Sequence, residues 1–185
     1  LVQINTKWRS VKEEGFPVGL TTGRWKKNNQ EEQSEEIRRV QLYTTDTADA
    51  LYIEPIKSLG LTPEGVITLQ YALKRAIENV FQIESNEIGV TRMGDPKMPN
   101  IFLYEAAEGS LGILSQFIED TNKFKEVITE AIDLLQYDDQ EYKEPASYND
   151  LLSYYNQRDH ATIDRFLIED ALKKLKLCSV EIKPD

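Results

Sequence analysis

The stretch NIFLYEAAEGSLGILSQFIEDTNKFKEVITEAIDLL, residues 100–135, decides the fold. It opens with Ile101-Phe102-Leu103-Tyr104, bounded by Pro99-Asn100 and by Glu105, and an apolar run of that length predicts a buried strand. Gly109 and Gly112 follow, where the backbone must turn or approach something closely. From Leu111 the period changes. Leu114, Phe117/Ile118, Thr121, Phe124, Val127/Ile128, Ala131/Ile132 and Leu135 recur at three-and-four spacing among Glu, Asp and Lys, which predicts one long amphipathic helix. A strand feeding such a helix needs other elements to cover its apolar faces.

Those elements lie on both sides. Upstream, Thr62 is an N-cap and Pro63 the first residue of a helix whose stripe is Val66, Leu69, Ala72/Leu73, Ala76/Ile77 and Val80/Phe81. Ile37–Tyr43 and Ala50–Ile53 read as an antiparallel strand pair around a turn at 44–49. Glu87–Arg92 reads as a further strand, and Met93–Asn100 as a Gly/Pro loop. Residues 1–27 read as β-structure with a turn at Thr21-Thr22-Gly23, and KKNNQEEQSEE, residues 26–36, holds no apolar residue at all. Downstream, Ser147 is placed to cap a short helix, with Asp150 three positions on. Ile163, Phe166/Leu167, Ala171 and Leu175 mark a last helix, and Cys178–Ile182 a closing strand.

The order predicts an α+β fold: a mostly antiparallel sheet packed by a long central helix and two or three further helices. One domain over 1–185 is the simplest division, with a basic hairpin region at 1–27, a polar loop at 28–36 and the body at 37–185. The chain opens on Leu1 without Met, as expected of the C-terminal part of a larger protein.

A net charge of −10 opposes broad binding to phosphate backbones. The basic residues Lys7, Arg9, Lys12, Arg24, Lys26 and Lys27 nevertheless gather at one end, against only Glu13 and Glu14. Arg24, Lys26 and Lys27 are therefore the candidate nucleic-acid contacts, and a solvated loop surface is the plainer reading of the same charges. No apolar run approaches the length of a membrane span, and there is no signal-peptide pattern at the start. The one cysteine, Cys178, fits a reducing, cytoplasmic setting.

Catalytic constellations are hard to assemble. No phosphate-binding loop, dinucleotide fingerprint or helicase motif occurs. One Cys and one His cannot supply a four-ligand zinc site, so neither a metal nor another cofactor is expected. The turn at Gly109–Gly112 could aim backbone N–H groups at an anion, and a packing turn is the plainer reading. His160 and Asp164, four apart, could form a carboxylate-oriented imidazole, a local helix-start contact being the plainer reading, and Cys178 reads as a buried thiol in a strand. Acid pairs stand at Asp46/Asp49, Glu84/Glu87 and Asp138/Asp139, with Asp95 and Glu105 besides. A nuclease pattern of Glu-x-Lys fails at Ala107.

Two stretches are more specific. The first runs from Asn100-Ile-Phe-Leu-Tyr-Glu105 to Gly109-Ser-Leu-Gly112; the second is SYNDLLSYYNQRDH, residues 147–160, ending in Asp164-Arg165. Together they resemble the MrfA-type zinc-binding domain, a helicase-associated region at the C-terminus of DEAD/DEAH-box-like helicases and of their partners. The family-motif positions are Glu105, Gly109, Gly112, Ser147, Asp150, Asn156, His160, Asp164 and Arg165. The family places its second Cys pair where this chain has Ser147 and Asp150, and its first within Gln136–Glu144, where this chain has no Cys. The resemblance thus implies a domain that keeps the apolar frame without the metal, with the cap at Ser147 and helix packing holding the segment that follows. It also implies a non-catalytic accessory role in DNA processing or in anti-phage defence of the DISARM type, the partners being a helicase core, in cis or in trans, and DNA. The alternative is a divergent metal-dependent nuclease or hydrolase using Glu105, His160 and Asp164.

Overall fold

Thr62 and Pro63 start a helix as the sequence requires. In the computed structural model, α1 spans Pro63–Phe81, and the Thr62 hydroxyl accepts the Gly65 N–H at 3.1 Å. Its stripe is buried from Val66 through Leu69, Ala72, Leu73, Ala76 and Ile77. Gln82, at φ 53°, ends it in the left-handed region.

The structure describes residues 1–5, 12, 14–26, 35–107, 109 and 111–182, which fall into two compact units, Leu1–Thr47 and Ala48–Asp185. The second unit is built on a three-stranded antiparallel sheet in the order β5-β7-β6, from Ala50–Ile53 (β5), Ile88–Asp95 (β6) and Met98–Glu105 (β7). The period of two along β7 buries Ile101, Leu103 and Glu105 on one face. α1 packs on β6 and β7, and the α+β class follows from that layering.

The helix predicted from Leu111 is two pieces, α2 (Gln116–Glu119) and α3 (Lys123–Leu135). Asp120 interrupts it, because its carboxylate accepts the Asn122 N–H at 2.9 Å and turns the chain locally. The apolar stripe survives the break: Leu114, Phe117, Val127, Ile128, Ala131 and Leu135 are all buried against α1 and the sheet. α3 packs on α1, so the central layer is this helix pair rather than one long rod.

Three further expectations are corrected. Residues 93–100 are not an open loop: β6 and β7 run on to a two-residue turn at Pro96-Lys97, which Asp95 closes by accepting the Lys97 N–H at 2.9 Å. Pro99 is tolerated in β7 because β5 pairs only as far as Ile101, so no neighbour there needs its missing N–H. The last helix is a 3₁₀ turn, Arg165–Leu167, followed by α4 (Glu169–Lys176). Residues 178–182 form no strand, and Cys178 is exposed.

In the first unit the segment 37–43 divides in two. Ile37–Val40 (β3) pairs antiparallel with Phe16–Gly19 (β2), and Leu42–Thr45 (β4) with Val2–Asn5 (β1). The expected pairing with 50–53 therefore does not form; those residues pair with β7 instead. The turn at 20–24 is as read, with Val18 bridging to Trp25 and the Gly23 N–H donating to Gly19 O at 2.8 Å.

Leu69 is 1% exposed at the centre of the second unit's core. Leu69→Ala should lower the unfolding free energy by about 2–5 kcal/mol with an unchanged denaturant slope, which urea titration followed by circular dichroism would measure.

Candidate functional site

The anion-seeking turn finds its anion inside the chain. Gly109 and Gly112 adopt φ of 90° and 67°, which lets 111–114 point successive N–H groups inward. Glu105, buried at the end of β7, accepts them: one carboxylate oxygen takes the Leu111 N–H and the Gly112 N–H at 2.9 Å, the other the Leu114 N–H at 2.7 Å. A carboxylate held by three backbone donors fixes the strand to the helical turn.

The polar segment after α3 closes around Arg165, whose side chain is buried. Its Nε donates to Glu144 O at 3.0 Å, its Nη1 to Leu135 O at 2.5 Å and Gln136 O at 3.3 Å, and its Nη2 to Tyr142 O. The guanidinium also lies over the rings of Tyr142, at 4.1 Å, and Phe166, at 4.4 Å. Beside it Asp150 is filled on both oxygens. Oδ2 accepts the Tyr142 hydroxyl and the Ser147 hydroxyl at 3.1 Å; Oδ1 accepts the Ser147 N–H at 2.7 Å and the Leu151 N–H. Burial and the bond to Asp150 raise the Tyr142 phenol above its ordinary range. Ser147 in turn accepts the Asn149 N–H at 3.2 Å, while the Asp150 N–H goes to the Ser147 carbonyl, so these residues close a turn and the short helix expected here does not form.

The remaining motif positions have local partners. Asn156 donates to Leu151 O at 2.7 Å and accepts the Ser153 N–H at 2.8 Å. His160 Nε2 lies 2.9 Å from Asn156 Oδ1 and 3.1 Å from Ser153 O, two acceptors that require a proton on that nitrogen. The pairing expected with Asp164 is absent, because Asp164 accepts the Phe166 N–H at 2.9 Å and caps its own turn. Glu105, His160 and Asp164 thus serve three separate networks. The other acids serve turns as well: Asp46 accepts from Thr47, Glu87 from Glu84, and Asp139 from Glu141. Among the described residues no group of three or more His, Cys, Asp or Glu side chains is placed to hold a metal ion.

One network was not legible at all. Asp159 accepts the Tyr71 hydroxyl at 2.6 Å and a two-point contact from Arg92 at 2.8 and 3.3 Å, joining α1, β6 and the 3₁₀ helix Tyr154–Asp159. Its partners lie 88 and 67 residues away, and no local pattern links them.

Of the basic candidates in the first unit, Arg24 is exposed and Lys27 lies outside the described residues. Lys26 is committed to Glu35 at 2.6 Å. Glu35 also accepts the Thr21 and Thr22 N–H groups, and the Lys26 hydrogen bond above all pulls its carboxyl down to about 2, against some desolvation. No helix among the described residues is long and apolar enough to cross a membrane.

The unit therefore defines a class: an α+β domain whose motif residues are spent on holding its own loops. Residues 69–141 match the profile of the MZB family, the MrfA Zn-binding domain, a segment that holds the first of the two motif stretches and ends before the second. No curated protein matches the chain. Two solved structures resemble it, both crystal structures of the helicase MrfA. The one bound to DNA covers 96% of this chain and 24% of its own, at 15% identity and a TM-score of 0.43. The one bound to DNA and AMPPNP covers 74% of this chain and 18% of its own, at 15% identity and a TM-score of 0.38.

The residues present do not fit the metal in that family name. The resemblance sets the second Cys pair at Ser147 and Asp150; here the Ser147 hydroxyl donates to Asp150, and Asp150 also accepts the Tyr142 hydroxyl. A hydroxyl and a fully engaged carboxylate do not make a closed tetrahedral site of thiolates and imidazoles.

Burial pushes the Asp159 carboxyl up, but the hydrogen bonds from Arg92 and Tyr71 outweigh it and hold the group below its ordinary 3.8. The Tyr71 phenol is pushed up to about 12, by burial first and by Asp159 second. A carboxyl whose folded value lies below its unfolded one adds stability above the ordinary aspartate range and loses it as the pH falls through the folded value. Asp159→Asn should lower stability at neutral pH and leave a shallower decline as the pH falls through and below the ordinary aspartate range, read from urea midpoints.

Proposed function

We propose that this chain is a non-catalytic accessory domain of a DEAD/DEAH-box-like helicase, or of a protein that partners one, in DNA processing or anti-phage defence. It docks on the helicase core in cis or in trans, its two units serving as one module in a cytoplasmic assembly, and Arg24, Lys26 and Lys27 supply a local contact to DNA. The family match over residues 69–141 is the observation that carries this reading. The engagement of Glu105, His160 and Asp164 in separate networks supports a role without chemistry. Nothing favours the nuclease or hydrolase alternative, which needs those three groups in one pocket.

Co-elution of the purified chain with a DEAD/DEAH-box-like helicase core, and fluorescence anisotropy with duplex and single-stranded DNA at two salt concentrations, test the proposal together. Helicase binding should be retained at high salt, whereas DNA binding should fall steeply with it. Arg24→Ala should reduce the slope of log K against log salt by about 1. Lys26→Ala is the poorer probe, because it also frees Glu35. Silence in both assays would overturn the proposal.

A further inference from the structure

We infer that this chain folds without zinc, and that a hydrogen-bonded knot of Tyr142, Ser147, Asp150 and Arg165 closes the segment that the family's cysteines would otherwise gather. The inference is independent of whether a helicase or DNA is bound. Its first support is the acceptor count at Asp150. A carboxylate offers about four lone-pair sites, and here the Tyr142 hydroxyl, the Ser147 hydroxyl, the Ser147 N–H and the Leu151 N–H take them. A metal at this carboxylate would have to displace donors already in place.

The second support is charge. The Arg165 guanidinium lies 4.1 Å from the centre of the Tyr142 ring, whose hydroxyl is on Asp150. A permanent cation on that ring opposes a second cation beside it. The third support is reach. Arg165 binds backbone carbonyls at 135, 136, 142 and 144, while Tyr142 and Ser147 tie the same segment to Asp150. Both ends of the segment between α3 and the turn at 148–151 are therefore fixed by side chains, which is what a structural metal does for a loop of this kind. The hollow of about 280 Å³ beside the knot is lined by Asp139, Glu141, Glu144 and Asp150 among others. Asp139 and Asp150 are nevertheless engaged in turns, and these acids are not grouped to hold an ion.

Thermal unfolding of the purified full chain, with and without EDTA and with added Zn²⁺, tests the inference alongside metal analysis by mass spectrometry. The expected result is a midpoint unmoved by chelator or zinc, and a chain that carries less than one-tenth of an equivalent of metal. Tyr142→Phe keeps the ring under Arg165 and removes only the hydroxyl. It should lower the midpoint by about 2–4 °C, the effect of one lost buried hydrogen bond in a domain of this size, and speed hydrogen exchange at the Leu151 amide. Ser147→Ala is the milder companion, expected to act in the same direction by a smaller amount. A midpoint lowered by EDTA, a full equivalent of bound zinc, or a Tyr142→Phe chain that unfolds and exchanges like the wild type would each overturn the inference.

Discussion

A single buried cation sets the terms for the C-terminal part of this chain. Isolating a guanidinium from water is expensive, and several kcal/mol is a fair scale for an ion left without partners. Arg165 avoids that by giving its fork of donors to four main-chain carbonyls and its faces to two aromatic rings. Two of those carbonyls, at Leu135 and Gln136, belong to the last turn of α3 and its cap, where intrahelical partners run out and the helix dipole is negative. One side chain thereby caps a helix and anchors the irregular segment beyond it. An ammonium could not do both, since its donors diverge from one point.

Carboxylates do the complementary work. Glu105 gathers amide N–H groups, Asp150 a phenol, a hydroxyl and amides, and Asp159 a phenol and a guanidinium. Each ties together segments that flank the apolar core of α1, α3 and the sheet. The acids that a search for chemistry would pick first are in this way withdrawn from solvent or bound into turns. The rings of Tyr148, Tyr154 and Tyr155, by contrast, are exposed.

The frame was legible where local and global signals agree. Thr62-Pro63 and an unbroken stripe gave α1 its start and its face, and the short apolar run gave β7. The break at Asp120 was hidden because the stripe keeps its period across it, and only the side chain's choice of the Asn122 amide reveals it. Strand partners in the first unit were not legible, since four-residue strands of similar composition satisfy many pairings. The hairpin at 95–98 looks like a loop in sequence because Gly94, Pro96 and Pro99 outweigh its alternation in any local count. At the site, the glycine turn declared an anion-binding geometry, but its ligand was the chain's own Glu105. Arg165 stood in a recognisable motif, yet its partners are carbonyl oxygens, which every residue has and no sequence pattern marks.

Arg165 follows the carbonyls it binds by 21 to 30 residues. On a ribosome, α1, the sheet and α3 can therefore collapse on each other while the segment after α3 still lacks its Arg165 contacts. That segment sets only when the stretch carrying Arg165 has cleared the exit tunnel and swung back, a long-range contact made late in vectorial synthesis. Until then the Leu135 and Gln136 carbonyls at the end of α3 wait for their guanidinium donor.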